Sequence, residues 1–191
     1  MTSIRRILGV DPGSRITGIG VIEYQSLAKP NCLFGGNIHL TAKDMPTRLG
    51  TLFIEIQAIA QTYRPTELAI EQVFVQKNPA SALKLGQARG VAIAAAMAMN
   101  LPVFEYSARQ VKQAIVGRGG AEKSQVQHMM QILLTLQDKP QADTADALAV
   151  ALCHLHSTSG AFALGKMPVL ASRRKSKRSK AWEKYDRSTT R

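Results

Sequence analysis

The stretch between Ile7 and Ile22 constrains the fold of this chain more than any other, because it reads as two apolar strands joined by a tight turn. The short apolar run before Asp11 is typical of a central strand that is covered on both faces. Pro12-Gly13 predicts the turn, since proline presets φ and glycine tolerates positive φ. Asp11 therefore stands at the end of a buried strand, either as a residue that simply opens the turn or as a chemically active carboxylate.

Apolar periodicity predicts a mixed α/β layer architecture around this hairpin. The next predicted elements, in chain order, are a strand over Asn31–Leu40, a helix over Met45–Tyr63, a strand over Leu68–Glu71, a helix from Asn78 to about Asn100, a strand over Leu101–Glu105, and helices over Ser107–Val116, around Val126–Leu134 and over Asp143–His156. Three strands in succession predict an antiparallel start to the sheet. We expect one domain over residues 1–157 and a basic, disordered tail over residues 158–191.

The formal net charge of +12 indicates a polyanionic partner. The segment Arg173–Arg191 has nine Lys and Arg against two acidic residues, and the chain before it is basic as well. Nucleic acid is the simplest such partner, because basic side chains neutralise phosphates and release counterions. An anionic membrane surface is the weaker alternative, since the sequence contains no basic amphipathic helix with a strong apolar face.

Cysteine usage and apolar runs predict the compartment. Cys32 and Cys153 have neither a pairing context nor metal-ligand spacing, which favours a reducing cytosol. The N-terminus lacks the apolar region of a signal peptide, and no run approaches the ~18 apolar residues of a membrane span. We therefore expect a cytoplasmic protein without a membrane segment.

Four carboxylates share a placement that favours a metal site. Asp11 and Glu71 each close an apolar strand, and Asp143 and Asp146 lie three residues apart on the first turn of a helix. Residues at this spacing share a helix face, so both aspartates can point to one place. An all-oxygen set suits Mg²⁺ or Mn²⁺, and two such ions ~4 Å apart can promote phosphodiester hydrolysis.

Each carboxylate also has a plain structural explanation. Asp143 could stabilise its helix N-terminus through the helix dipole, Asp146 could be an ordinary first-turn acid, and Glu71 could pair with Lys77 or Arg89. The joint pattern favours a site, because four of only 13 acidic residues fall at strand ends or on one helix face.

Small residues form two surfaces, and the sequence leaves two alternatives for what packs against each of them. The helix after Asn78 carries one small face, formed by Ala82, Gly86, Gly90 and Ala94. This face either packs closely on the sheet or contacts a second copy in a homodimer. In the hairpin, Gly18 and Gly20 free space beside Asp11, which suits either a close approach of DNA or simple strand packing.

Five segments carry a family resemblance: ILGVDPGSRITGIGVIE, LAIEQVFVQKNPASALKLGQARG, ARQVKQAIVG, AEKSQVQHM and QADTADALAVA. They run in order from about Ile7 to Leu152, and together they resemble the RuvC family of bacterial Holliday-junction resolvases. The resemblance implies an RNase H-like fold, with a mixed five-stranded sheet flanked by helices, and a homodimer. It also implies that four-way DNA junctions are resolved in homologous recombination and DNA repair by two symmetric nicks, which leave 5′-phosphate and 3′-hydroxyl ends.

Residue roles follow from the same resemblance. The metal-binding acidic quartet of the family matches the four carboxylates above, with Mg²⁺ as the expected cofactor, Mn²⁺ as a substitute and two ions per subunit. The catalytically important lysines match Lys112 and Lys123, and the aromatic residue that stacks on bases at the junction matches Phe74. Association with the branch-migration proteins RuvA and RuvB is a further implication.

The residues themselves agree with these roles. Phe74 lies in a loop, where its ring could stack on an unpaired base, although a buried contact is the alternative. Lys112 and Lys123 bracket the Gly117–Gly120 break and could reach a scissile phosphate. Further candidates for phosphate contacts are Lys77, Lys84, Arg89, Arg109 and Arg118. The histidines that we interpret as non-ligands are His128, His154 and His156.

Two other function classes compete with a nuclease. An actin-like phosphotransferase would use an Asp-x-Gly turn for nucleotide phosphates, but it needs a duplicated second domain, and this sequence has no second Asp-x-Gly hairpin. A non-catalytic nucleic-acid-binding protein explains the basic charge. That reading leaves four acids at the edge of the core without a role, and such acids repel DNA.

Overall fold

A mixed five-stranded sheet with the order β3-β2-β1-β4-β5 forms the centre of the fold in the part of the chain that the structure describes. A computed structural model describes residues 4–25, 29–73 and 78–159. Its elements are β1 (Arg5–Asp11), β2 (Ile16–Tyr24), β3 (Asn31–His39), α1 (Met45–Tyr63), β4 (Glu67–Glu71), α2 (Pro79–Ala98), β5 (Val103–Tyr106), α3 (Ala108–Val116), α4 (Lys123–Leu133) and α5 (Ala142–Thr158). None of the helices in these ranges combines the length and apolar character that a transmembrane span requires. The predicted α/β class is confirmed.

The sheet is antiparallel on one side of β1 and parallel on the other. β1 pairs antiparallel with β2, which pairs antiparallel with β3, so the predicted antiparallel start is confirmed. On the other side, β1 pairs parallel with β4, and β4 pairs parallel with β5. Parallel neighbours need crossover connections, which are supplied by α1 and α2. As a result, β1 and β4 end at the same edge of the sheet.

The two faces of the sheet are covered by different helices. Side chains alternate along β1, so Leu8 and Val10 pack in the core with α1 and α2, whereas Ile7 packs in the core with α3, α4 and α5. All three side chains are fully buried, as expected for a central strand covered on both faces. By the same alternation, Gly9 and Asp11 face α5.

Helix α5 lies against the backbone of the first two strands. A Cβ added to Gly9 would stand 2.1 Å from the carbonyl oxygen of Ala147, and one added to Gly18 would stand 2.0 Å from that of Asp143. Gly20 meets the same helix at a leucine side chain. Helix α5, and not DNA or a neighbouring strand, therefore occupies the space that Gly18 and Gly20 leave.

The small face of α2 points away from the sheet. The buried side of this helix is formed by Ala88, Ala92, Ala95 and Ala96. Gly86 and Gly90 are exposed, and a Cβ added to either would meet nothing within 4 Å in the described residues. The interpretation that this small face packs on the sheet is therefore wrong, and the homodimer interpretation stays open.

The element boundaries differ from the predicted ones at a few chain reversals. Asn100 has φ 58°, in the left-handed region, and the N–H of Leu101 bonds to the carbonyl of Ala96, so Leu101 closes the helix end and does not begin a strand. At the other end, β5 extends to Tyr106 because that residue pairs with Glu71. The predicted tail boundary falls at the end of α5, and nearly all of the tail lies outside the described residues.

We predict that Gly9→Ala destabilises the fold, because the new methyl group would collide with the backbone of α5. The expected loss is about 1–3 kcal/mol in the free energy of unfolding. Gly50→Ala is the matched control, since Gly50 lies on α1 with nothing within 4 Å of its added Cβ among the described residues. It should stabilise by about 0.5–1 kcal/mol. Urea unfolding checks both values, and an unchanged Gly9→Ala protein would contradict the packing argument.

Candidate active site at the carboxyl ends of β1 and β4

The parallel pairing of β1 with β4 places Asp11 and Glu71 next to one another. In the register Val10 stands opposite Ile70, and the two carboxylates are the next residues on each strand. Both face α5, because they alternate with residues that face α1 and α2. Each side chain is partly buried, so the carboxylates stand where the core meets solvent.

Helix α5 adds Asp143 and Asp146 to the same edge. Its first turn contacts the sheet through Gly18, which stands opposite Asp11 in the β1–β2 register. The backbone of Asp143 therefore lies beside the strand position that neighbours Asp11. Asp146 follows one turn later on the same helix face and is also partly buried.

The four carboxylates influence one another electrostatically. Burial, followed by the charges of Glu71, Asp146 and Asp143, raises the pKa of Asp11 to about 8. Burial and the charge of Asp146 also raise the pKa of Glu71. Negative charge is thus concentrated at this edge beyond what the protein itself neutralises, and a bound cation would relieve it.

Two lysines supply part of the opposing charge. The Nζ atom of Lys123 lies 3.2 Å from Oδ2 of Asp146, and Asp146, Asp11 and Asp143 raise the pKa of this lysine, Asp146 most strongly. The Lys123 side chain is 69% exposed, which leaves its amine accessible. Lys112 and Lys123 also act to lower the pKa of Glu71 against the effect of burial. The structure therefore brings both predicted lysines towards the quartet.

The donor chemistry of the quartet fits a hard divalent cation. All four side chains offer oxygen, which Mg²⁺ and Mn²⁺ prefer. Within the described ranges, no three Asp, Glu, His or Cys side chains are grouped closely enough to enclose an ion as they stand. The charges nevertheless couple across the site, so an ion would have to draw the carboxylates inward from this more open arrangement.

Among the described residues, the other predicted basic side chains form no ion pair with the quartet. Arg89 forms an ion pair with Glu105, so the proposed alternative of a bridge from Glu71 to Arg89 is wrong. Lys84, Arg109 and Arg118 are exposed, and they form no ion pair with another described residue. Phe74 and Lys77 lie outside the described residues.

Two polar networks escaped the sequence patterns, one near the end of α5 and one at its first turn. In the first, fully buried His154 contacts Tyr106 through Nδ1 at 2.6 Å and Glu67 through Nε2 at 2.7 Å, which fits its interpretation as a non-ligand. In the second, Asn37 contacts the first turn of α5. In the sequence, Asn37 is an amide within a predicted strand and His154 is a histidine within an apolar helix. Neither feature identifies the residues that these side chains contact.

The fold and the carboxylate edge together define an α/β nuclease-like domain of the RNase H-like class. A family model described as "Crossover junction endodeoxyribonuclease RuvC" matches residues 7–154. A protein of that name from Hahella chejuensis is 52% identical over 169 residues, 88% of this chain and 96% of the relative, and one from Yersinia pestis is 54% identical over 167 residues, 87% and 96%. The solved structure of Thermus thermophilus RuvC in complex with Holliday junction substrate matches with a TM-score of 0.74 and 32% identity, over 79% of this chain and 93% of that one. The chain belongs to the RuvC family.

We predict that Asp11→Asn stabilises the metal-free protein at alkaline pH. The pKa of Asp11 is about 8 in the folded state against 3.8 for an unperturbed aspartate, so the wild-type fold weakens as pH rises from about 4 to about 8. At pH 9 with a chelator, the variant should gain about 1–3 kcal/mol in the free energy of unfolding, and the gain should shrink at pH 5.

Urea unfolding at the two pH values measures this difference. Asp44→Asn is the control, because hydrogen bonding to Thr47 lowers the pKa of exposed Asp44 and asparagine can keep the helix cap. It should bring no gain at pH 9. An Asp11→Asn protein that is no more stable than wild type at pH 9 would show that Asp11 bears no such charge penalty.

Proposed function

We propose that this chain is a metal-dependent endonuclease that resolves Holliday junctions in homologous recombination and DNA repair. It makes paired symmetric nicks that leave 5′-phosphate and 3′-hydroxyl ends. The observation that carries the proposal is the convergence of four carboxylates at the partly buried edge of the sheet where β1 and β4 end and α5 begins. The junction complex of the Thermus thermophilus relative supports four-way DNA as the substrate.

Asp11, Glu71, Asp143 and Asp146 are the proposed ligands of Mg²⁺, with Mn²⁺ as a substitute and two ions per subunit. When bound, such ions activate the attacking water and stabilise the leaving oxygen of an in-line displacement. The protein's own part is to bring the four carboxylates to one edge of the sheet and to fix their relative positions. The coupled pKa values of Asp11 and Glu71 support a cation here, because removal of a proton from each is unfavourable without one.

Basic residues near the quartet would contact the DNA. Lys123 is mostly exposed while it pairs with Asp146, so its amine can exchange that carboxylate for a phosphate. Lys112 stands on α3 and is the second proposed catalytic lysine. Phe74 is the proposed base-stacking residue, and the remaining proposed phosphate contacts are Lys77, Lys84, Arg89, Arg109 and Arg118. Among these, Arg89 is the weakest candidate, because Glu105 already neutralises it.

A homodimer would place two carboxylate sites across a two-fold axis and match the symmetry of a four-way junction. The small face of α2, which points away from the sheet, supports this arrangement. Leu83 is 68% exposed and Met97 is 56% exposed at the two ends of the small face, where a second copy of the chain would cover them. Small residues between them allow a second helix to approach closely.

Association with RuvA and RuvB and a cytoplasmic location complete the proposal. Cys32 and Cys153 are free thiols, which fits a reducing compartment. Co-elution of the purified chain with RuvA and RuvB on junction DNA tests the association.

We predict that Ala94→Glu disrupts the homodimer. The substitution puts a carboxylate at the C-terminal end of the small face, where it would be buried against the second copy without a partner charge. The apparent mass at micromolar concentration should fall to that of a monomer in light scattering. Ala58→Glu on the exposed side of α1 is the matched control and should keep the wild-type mass. A dimeric Ala94→Glu protein would exclude this face as the interface.

We predict that Asp11→Asn abolishes nicking of a synthetic four-way junction and leaves junction binding within about threefold of wild type. Loss of one proposed metal ligand should lower the cleavage rate by more than about 100-fold. Changing a residue that only supports a metal ligand already lowers activity by about 10- to 100-fold. Cleavage assays with and without Mg²⁺ measure the rate, and gel shifts in Ca²⁺ measure binding.

Asp44→Asn is the control in these assays, because it removes an exposed carboxylate that does not belong to the quartet and can preserve its cap. Wild-type nicking by Asp11→Asn would refute the carboxylate assignment. Tight binding by the wild-type chain without cleavage in any divalent metal would favour the alternative of a non-catalytic DNA-binding protein.

A further inference from the structure

Asn37 on the outer strand β3 holds the first turn of α5 from the side. Its amide Nδ2 donates to Oε1 of Gln141 at 2.7 Å, and its Oδ1 accepts from the hydroxyl of Thr144 at 2.9 Å. We name this group of Asn37, Gln141 and Thr144 the Asn37 clamp. In the β2–β3 register Asn37 stands opposite Gly18, whose missing side chain admits the backbone of Asp143. The clamp and the closest helix contact therefore share one row of the sheet.

On the flank that faces β3, the first turn of α5 has few other polar contacts. Gln141 occupies the N-cap position but makes no side-chain capping hydrogen bond, so the usual local attachment of a helix start is missing. Next to the clamp lies a cavity of about 420 Å³ that is lined by Gly35, Gly36 and Pro140 and by the clamp residues themselves. The helix start and β3 are therefore not fully packed together on this flank, and the two hydrogen bonds of Asn37 connect them across it.

The clamp and the carboxylates occupy different flanks of the same turn. Gln141 and Thr144 are three residues apart and share one flank, while Asp143 and Asp146 share the other. A helix turn is stiff, so a small rotation or shift of α5 at the clamp moves both carboxylates relative to Asp11. Thr144 is only 7% exposed, which limits the alternatives available to its hydroxyl once Asn37 is removed.

We propose that Asn37 is a positioning residue for the nuclease reaction, which sets the placement of Asp143 and Asp146 through Gln141 and Thr144. This inference rests on the proposed function of those carboxylates as metal ligands. Within the described residues, the side-chain hydrogen bonds of Asn37 go to Gln141 and Thr144 and not to the carboxylates. Removal of the Asn37 side chain weakens metal binding first. The ion then has to order the start of α5 as it binds, and this ordering lowers the net binding free energy.

The test compares the full-length wild-type protein with Asn37→Ala, with Mg²⁺ alone as the probe. We expect the Mg²⁺ concentration that gives half-maximal thermal stabilisation to rise about 10-fold in the variant. The cleavage rate at saturating Mg²⁺ should fall less than the rate at limiting Mg²⁺, and junction affinity in Ca²⁺ should stay unchanged. Asn31→Ala is the matched control, because Asn31 is exposed at the opposite end of the same strand; it should keep the wild-type midpoint.

Two further variants, Thr144→Val and the double variant Asn37→Ala with Thr144→Val, separate the positioning role from a general loss of stability. Valine keeps the shape of threonine and removes the hydroxyl that donates to Asn37, so the Mg²⁺ midpoint should rise by a smaller factor. The double variant should be no worse than Asn37→Ala, since both changes break one unit.

A wild-type Mg²⁺ midpoint in Asn37→Ala, with only a lower melting temperature, would overturn the positioning role and leave the proposed function intact. Multiplicative effects in the double variant would overturn it equally. An absence of any Mg²⁺ stabilisation in the wild type would instead refute the proposed function, and the positioning role would fall with it.

Discussion

The direct contact between helix α5 and the backbone of β1 and β2 is the constraint on which the rest of the structure depends. Gly9 and Gly18 carry no side chain at the points where a Cβ would stand about 2 Å from a carbonyl oxygen of the helix. Ordinary side chains would hold the helix at a greater distance from the sheet. Because they are absent, the start of α5 reaches the edge where β1 and β4 end, and acids more than 70 residues apart in sequence act on one another.

This arrangement has an electrostatic consequence that the fold has to tolerate. Carboxylates brought together at a partly buried edge raise the pKa of Asp11 to about 8, so ionising it works against folding. The stabilising contribution comes from elsewhere, namely the apolar layers on both faces of the sheet, whose central side chains are fully buried. The Lys123 amine offsets part of the charge but remains mostly exposed. The carboxylates thus destabilise the fold when they are ionised without a cation, and a bound cation would relieve that cost. The core is an ordinary packed apolar core.

The sequence predicts local elements well and contacts between distant elements poorly. The bounds of α1 agree with its apolar period, and Asn78 and Ser107, where two helices were predicted to begin, accept hydrogen bonds from the first turns of those helices. Spacing also identified the four carboxylates, because strand ends and helix faces are local properties. Periodicity says nothing about which residue lies across a gap, so the pairing of Asn37 with Thr144 over 107 positions was not predictable. For the same reason both partners predicted for Gly18, DNA and a neighbouring strand, were wrong, and helix α5 occupies that space.

A second polar group attaches the end of α5 to the sheet. With this group the helix is fixed relative to the strands on both sides of β1. Although burial raises it, hydrogen bonds from His154 and Arg5 hold the pKa of Glu67 below its usual value. An ionised carboxylate only accepts, so His154 donates to Glu67 through Nε2, while its Nδ1 meets the hydroxyl of Tyr106. Glu67 begins β4, and Tyr106 pairs with Glu71 at the end of that strand. Helix α5 is therefore held to β4 and β5 near its end, to β1 and β2 along its length and to β3 at its start. These three attachments determine where its first turn lies relative to both Asp11 and Glu71, which no single contact could do.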